Sequence, residues 1–208
     1  MRHTLIFLTV VLMLTACNNS GTIKTASDTD STVSERPLLI KELKKLKEII
    51  ASNDKENIAG IFQFPLSDSA FGIYIYDSLY NEQLKENGNK TTKAMFLQHY
   101  KQIYPGIWLD QLNNLLQNIK IDSLLHKDTL QYDAYSKSEP CYYSYQIEVI
   151  KKDVTLTMNG KSNTDYKSKD TSEDDIPENS SEICEHSFWW VFSFDGKKLH
   201  FETISGAD

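Results

Sequence analysis

Glu185-His186-Ser187-Phe188-Trp189-Trp190-Val191-Phe192-Ser193-Phe194-Asp195-Gly196-Lys197-Lys198-Leu199-His200-Phe201-Glu202-Thr203-Ile204 is the stretch around which the chain is organised. Phe188, Trp190, Phe192 and Phe194 alternate with Trp189, Val191 and Ser193, so a strand here carries one continuous aromatic face. Asp195-Gly196 suits a tight turn, because Gly accepts positive φ and Asp can bond its own backbone. Leu199 and Phe201 resume the alternation beyond it. An isolated hairpin cannot bury four large rings, so further strands and helices are required to cover them.

The upstream segments supply those elements. Leu39, Leu43, Leu46 and Ile50 recur at helical spacing after Pro37, and Asn53 with Glu56 resembles a capping box for a short helix carrying Ile58, Ile61 and Phe62. Phe71, Ile73 and Ile75 alternate with Gly72, Tyr74 and Tyr76 as a short strand. Thr92 is placed to cap a helix bearing Phe96, His99, Tyr100 and Ile103, and Trp108, Leu112, Leu115, Leu116 and Ile119 form a further amphipathic pattern. Tyr143 to Val149 and Val154 to Met158 alternate as two strands about a turn at Lys151-Lys152-Asp153. Helices first and strands last predict an α+β domain over residues 37–208. Residues 159–183 hold seven acids, three lysines and few apolar groups, which reads as a solvated, mobile loop. A calcium site from Asp170, Glu173, Asp174 and Asp175 is the sharper alternative, without the ligand spacing of a known loop.

The amino terminus carries a different message. Arg2, the apolar run Leu5 to Leu14 and the tetrad Leu14-Thr15-Ala16-Cys17 match a bacterial lipobox, with residues 1–16 as signal peptide. The match implies lipid on Cys17 and a mature protein held at the cell envelope, where several acyl chains anchor stably. Asn18 stands where an aspartate favours inner-membrane retention in enterobacteria-like sorting, so the outer membrane is preferred. Residues 17–36 are polar and read as a disordered tether, of which Asn18 to Arg36 reach roughly 25 Å as a flexible coil.

Order and local wording bring a family into view. Phe64-Pro65-Leu66 after a short helix, Phe96-Leu97-Gln98-His99-Tyr100-Lys101-Gln102-Ile103, and the terminal Phe194-Asp195-Gly196-Lys197-Lys198-Leu199 resemble the nuclear transport factor 2-like (cystatin-like) lipoproteins of Bacteroidetes. The resemblance implies helices packed into the concave side of a curved antiparallel sheet, leaving a cone-shaped pocket. Some relatives there are isomerases or dehydratases and many only bind; no catalytic motif carries over to particular residues.

Several function classes are poorly supported. The 208 residues carry a net charge of −7, and removing residues 1–16 takes Arg2 and no acid, giving −8. The lysines from Lys41 to Lys47 surround Glu42 and Glu48, so nucleic acid is not an expected partner. No phosphate-cradling loop, nucleophile elbow or His-Glu-x-x-His helix is present. Cys141, Cys184 and His186 make an incomplete zinc set, and no metal or cofactor is expected. In an exported protein Cys141 and Cys184, each just before an aromatic strand, are better read as a disulfide, with two free buried thiols as the alternative.

The candidate pocket residues are Tyr74, Tyr76, His99, Tyr100 and Glu148, with Tyr142 a further candidate. The tyrosines and Glu148 suit equally the wet face of a half-exposed sheet. His99 on an apolar helical face is more often a hydrogen-bonded packing residue than a general base. Asp30-Ser31-Thr32, Asp68-Ser69-Ala70, Asp77-Ser78-Leu79, Asp122-Ser123-Leu124 and Asp128-Thr129-Leu130 resemble the O-glycosylation pattern of Bacteroidetes, although Asp-Ser and Asp-Thr also open turns and helices. The leading expectation is a non-catalytic binding module for a small ligand, glycan or protein. An immunity lipoprotein against a periplasmic toxin and an isomerase- or dehydratase-like enzyme using His99 and Glu148 are the alternatives.

Overall fold

The computed structural model describes residues 30–71, 75–136, 139–163, 166 and 184–207. Five strands form one antiparallel sheet in sequence order: β3 (Thr129–Ala134), β4 (Cys141–Ile150), β5 (Asp153–Ser162), β6 (Ser187–Phe194) and β7 (Leu199–Ala207). Two short strands, β1 (Leu66–Ser67) and β2 (Lys90–Thr91), pair separately. The chain is α+β.

The aromatic hairpin forms as its periodicity predicts. Phe188, Trp190, Phe192 and Phe194 are buried, and each ring contributes roughly 1.5–3 kcal/mol through removal from water. Gly196 takes φ +91°, while Asp195 Oδ1 accepts from the backbone N–H groups of Lys197 and Lys198 at 2.7 and 2.8 Å. Register shifts between Val191 and Phe192, which face Thr203 and Phe201, so Glu202 is the extra residue of a bulge. Tyr145, Ile147, Val149, Val154, Leu156 and Met158 extend the same buried face across β4 and β5.

Helices cover that face. α1 (Asp30–Ser52) buries Leu39, Leu43, Leu46 and Ile50 and contacts β7, while α7 (Leu109–Asn118) packs on β5. Between them come α2 (Lys55–Ala59), α3 (Asp68–Phe71), α4 (Ser78–Glu86), α5 (Lys93–Gln98) and α6 (Tyr100–Gly106), and a 3-10 turn at Ile121–Leu125 leads into β3. Phe62, just beyond α2, meets Phe201 of β7 edge-on at 4.8 Å, tying the helical layer to the sheet.

Four expectations are corrected. α1 starts at Asp30, so residues 30–36 are helical and not tether; Arg36 pairs with Asp128, and Glu35 lies 3.9 Å from Lys152, contacts invisible to local composition. Asp54 and not Asn53 caps α2, accepting from the Asn57 N–H at 2.9 Å; Asn53 has φ +48°, a conformation Asn tolerates. Phe71 closes a helical turn, and Ile75 and Tyr76 lie in no strand. Residues 159–162 belong to β5, because their backbone pairs with Cys141 to Ser144 regardless of side-chain polarity.

Candidate functional site

Gly160 is the local reason for a site at one end of the sheet. It sits opposite Tyr143, and a Cβ there would overlap the Cys184 carbonyl and the His186 ring. With no side chain in the way, residues 184–186 lie across the inner face, held by a 2.7 Å hydrogen bond from the Gly160 N–H to the His186 carbonyl. The Cys141–Cys184 disulfide, with Cα atoms 5.4 Å apart, clamps the same segment to β4. That bridge is as expected, and it removes both thiols from any zinc set.

The segment carries His186 into a group of rings. Its imidazole centroid is 5.0 Å from Trp108 and 6.1 Å from Tyr143; Trp108 also meets Phe188 at 5.8 Å. Tyr132 stacks on Tyr145 at 6.0 Å with planes 14° apart, and Tyr143 is 6.3 Å from Tyr145. Tyr145 is buried, donates its hydroxyl to Gln111 Oε1 at 2.5 Å, and is pushed up to about 12, chiefly by burial. Trp108, Tyr132, Tyr143 and His186 are each only half-buried. His186 Nε2 is buried with no hydrogen-bond partner among the described residues.

Trp108 reaches this group by an unusual backbone. Between α6 and α7 it adopts φ +55°, ψ +41°, a left-handed conformation that costs a bulky residue about 1–2 kcal/mol. The turn also leaves the Ile107 carbonyl free to accept the Trp190 indole N–H at 2.9 Å. Packing against the sheet therefore holds the strained turn, and the turn aims the Trp108 ring at His186.

The residues singled out from sequence are dispersed. Tyr74 and Cys17 lie outside the described residues. Tyr76 is 91% exposed. Glu148 is half-buried between the buried Ile147 and Val149, hence on the opposite face of β4, as is Tyr142. Tyr100 donates to Asn53 Oδ1 at 3.0 Å and is pushed up to about 12 by burial and then by Asp54 and Asp110. His99 is 4% exposed, with Nδ1 2.8 Å from Asp77 Oδ2 and Nε2 3.1 Å from Gln83 Oε1. Both ring nitrogens are engaged in a buried network, so the geometry is that of the packing residue rather than an open general base. The structure does not bring His99 and Glu148 together.

The five Asp-Ser/Thr triplets fall at the starts of elements. Asp30 opens α1, Asp68 opens α3, Asp77 caps α4, Asp122 lies in the first turn of the 3-10 helix, and Asp128 precedes β3. Asp77, before Ser78, accepts from the Tyr80 N–H as the cap of α4, and Ser78 and Thr129 are exposed; Ser31, Ser69 and Ser123 follow aspartates at or near element starts. The calcium alternative at Asp170 to Asp175 lies outside the described residues, and among the described residues no group of three His, Cys, Asp or Glu is placed to hold a metal. Likewise no described helix is long and apolar enough to cross a membrane.

The aromatic cluster was not legible as a site. Tyr143 and Tyr145 read only as strand positions and Trp108 only as helix core, and the one available clue was that Tyr132, Tyr143 and Tyr145 fall on the buried phase of their strands. No protein-family model, curated protein or solved structure matches this chain.

Proposed function

We propose that the chain is a lipid-anchored, non-catalytic binding module of the bacterial cell envelope, and that Trp108, Tyr132, Tyr143 and His186 form its binding surface. The observation that carries the reading is the strained Trp108: a bulky residue in the left-handed region persists only where its surroundings over-determine it, and such outliers concentrate at ligand sites. Half-buried rings offer apolar faces at low entropic cost, which suits a neutral ring-bearing ligand such as a saccharide. A disulfide beside the cluster keeps its rings in place before a ligand arrives. Helices over one face of a five-stranded antiparallel sheet, with aromatic rings at one end, favour the cystatin-like cone as the architecture. Lipid on Cys17 supplies the anchor, and the outer membrane the location.

Titration with a panel of soluble oligosaccharides, including peptidoglycan fragments, followed by tryptophan fluorescence tests the site. Saturable binding is expected, weakened roughly tenfold by Trp108→Ala or Tyr143→Ala, in line with the loss of one ring contact. Binding unchanged by both substitutions, or none across the panel, would overturn the assignment.

A further inference from the structure

Three shallow grooves run together along α1, the end of α7, the 3-10 turn and the start of β3; the largest, about 800 Å³, shares residues with each of the others. Their walls hold six lysines, Lys41, Lys44, Lys45, Lys47, Lys120 and Lys127, against two acids, Glu48 and Asp122. On a chain of net charge −7 this is a strong local inversion. Asp122 is already engaged by Lys44 at 2.7 Å and neighbouring Asp128 by Arg36, whereas Lys41, Lys45, Lys120 and Lys127 form no ion pair among the described residues. Helical spacing hid this concentration: Lys120 and Lys127 are far from Lys41 in sequence and join it only because the 3-10 turn packs on α1.

Exposed apolar groups interrupt the same face. Leu125, 47% exposed, lines one groove beside Lys41, Lys45 and Pro37. Leu38, 46% exposed, precedes Lys41 by three residues and Lys45 by seven, so it stands next to them on α1. Leucines set among unpaired lysines match the interface of an anionic bilayer, where the leucines enter the acyl boundary and the ammonium groups meet lipid phosphates.

We infer that this face docks flat on an anionic membrane surface. The inference rests on the anchoring reading for its partner, because Cys17 stands only a short chain length before α1, which bears four of the lysines. Docking would turn an anchored domain with free rotation into an oriented one.

The test uses the chain from Asn18 onward, which carries no lipid and keeps every core side chain from Leu39 to Ile204. Co-sedimentation with vesicles containing phosphatidylglycerol is expected, with little on pure phosphatidylcholine, and the bound fraction should fall as salt rises. Each lysine removed should lower partition roughly fivefold, so K41Q/K45Q/K127Q should lose about a hundredfold. Leu125→Ser should weaken binding while leaving its salt dependence intact. Equal binding to both vesicle types, or an unchanged triple variant, would overturn the inference; so would retention on an immobilised acidic polysaccharide without vesicle binding. Absence of fatty-acid label at Cys17 in the full chain would instead remove the anchor and leave the vesicle result standing.

Discussion

The indole N–H of Trp190, in the middle of β6, is hydrogen-bonded at 2.9 Å to the carbonyl of Ile107, a residue 83 positions earlier in the turn between α6 and α7. Both groups are buried, so the bond joins the helical layer to the sheet at the point where the strained Trp108 turn needs support. Trp190→Phe keeps an aromatic body but removes the donor and leaves the Ile107 carbonyl unsatisfied. The expected loss is about 1–3 kcal/mol in urea unfolding, with Trp108 fluorescence shifting as the turn relaxes.

The Cys141–Cys184 bridge spans a sequence separation of 43 residues. Its removal in a Cys141→Ser, Cys184→Ser double variant should cost roughly 4 kcal/mol in the chain-entropy account. Because the bridge clamps the segment bearing His186, the same variant should weaken any ligand of the aromatic cluster more than it alters the far end of the sheet. Denaturation midpoints with and without a reductant, compared with the double variant, measure the first effect.

Asp77 links three elements: it caps α4 through the Tyr80 N–H at 3.1 Å and meets the buried His99 of the α5–α6 junction. The His99 hydrogen bond, followed by that of the Tyr80 N–H, holds the Asp77 carboxyl below its ordinary value. A carboxylate depressed in the folded state contributes stability above its unfolded pKa, near 4, and loses it as pH falls through the lower folded value. Asp77→Asn should therefore destabilise the protein at pH 6 and flatten the acid limb of the stability profile below pH 4. Urea midpoints from pH 7 to 2 would show a parallel limb if the interaction made no difference.

Intact-mass measurement of protein from its native host addresses the covalent modifications together. Lipid on Cys17 is expected to add the mass of a diacylglyceryl and an acyl group to a chain starting at residue 17, and fatty-acid label should vanish in Cys17→Ser. Hexose-sized increments beyond that mass are expected at some of Ser31, Ser69, Ser78, Ser123 and Thr129, exposed Ser78 and Thr129 among them. A mass equal to the lipidated polypeptide alone, unchanged when the five hydroxyls are replaced, would leave the triplets as turn and element-start motifs only.

Local periodicity determined the elements that bury regular faces. The alternation from Phe188 to Phe194, the stripe of Leu39, Leu43, Leu46 and Ile50, and the Thr92 cap each depend on residues within a few positions, and each forms where the sequence places it. The weak elements escaped for the same reason. α4 buries only Tyr80 and is initiated by the Asp77 cap, so little hydrophobic patterning marks it, and six residues around Phe71 could not distinguish a strand from a helical turn.

Tertiary structure decided everything that depends on which distant residues meet. The turn of α1 just before Pro37 places Arg36 beside Asp128 and Glu35 3.9 Å from Lys152, pairings between residues far apart in sequence. His99 proved to be closed in by Asp77 and Gln83, while Glu148 turned to the other face. The aromatic cluster needs the Tyr143–Gly160 register, the disulfide and a left-handed Trp108 at once, and a backbone conformation held by packing leaves no trace in residue spacing. The lysine face arises likewise: charge along a helix is readable locally, but its field depends on the 3-10 turn brought beside it.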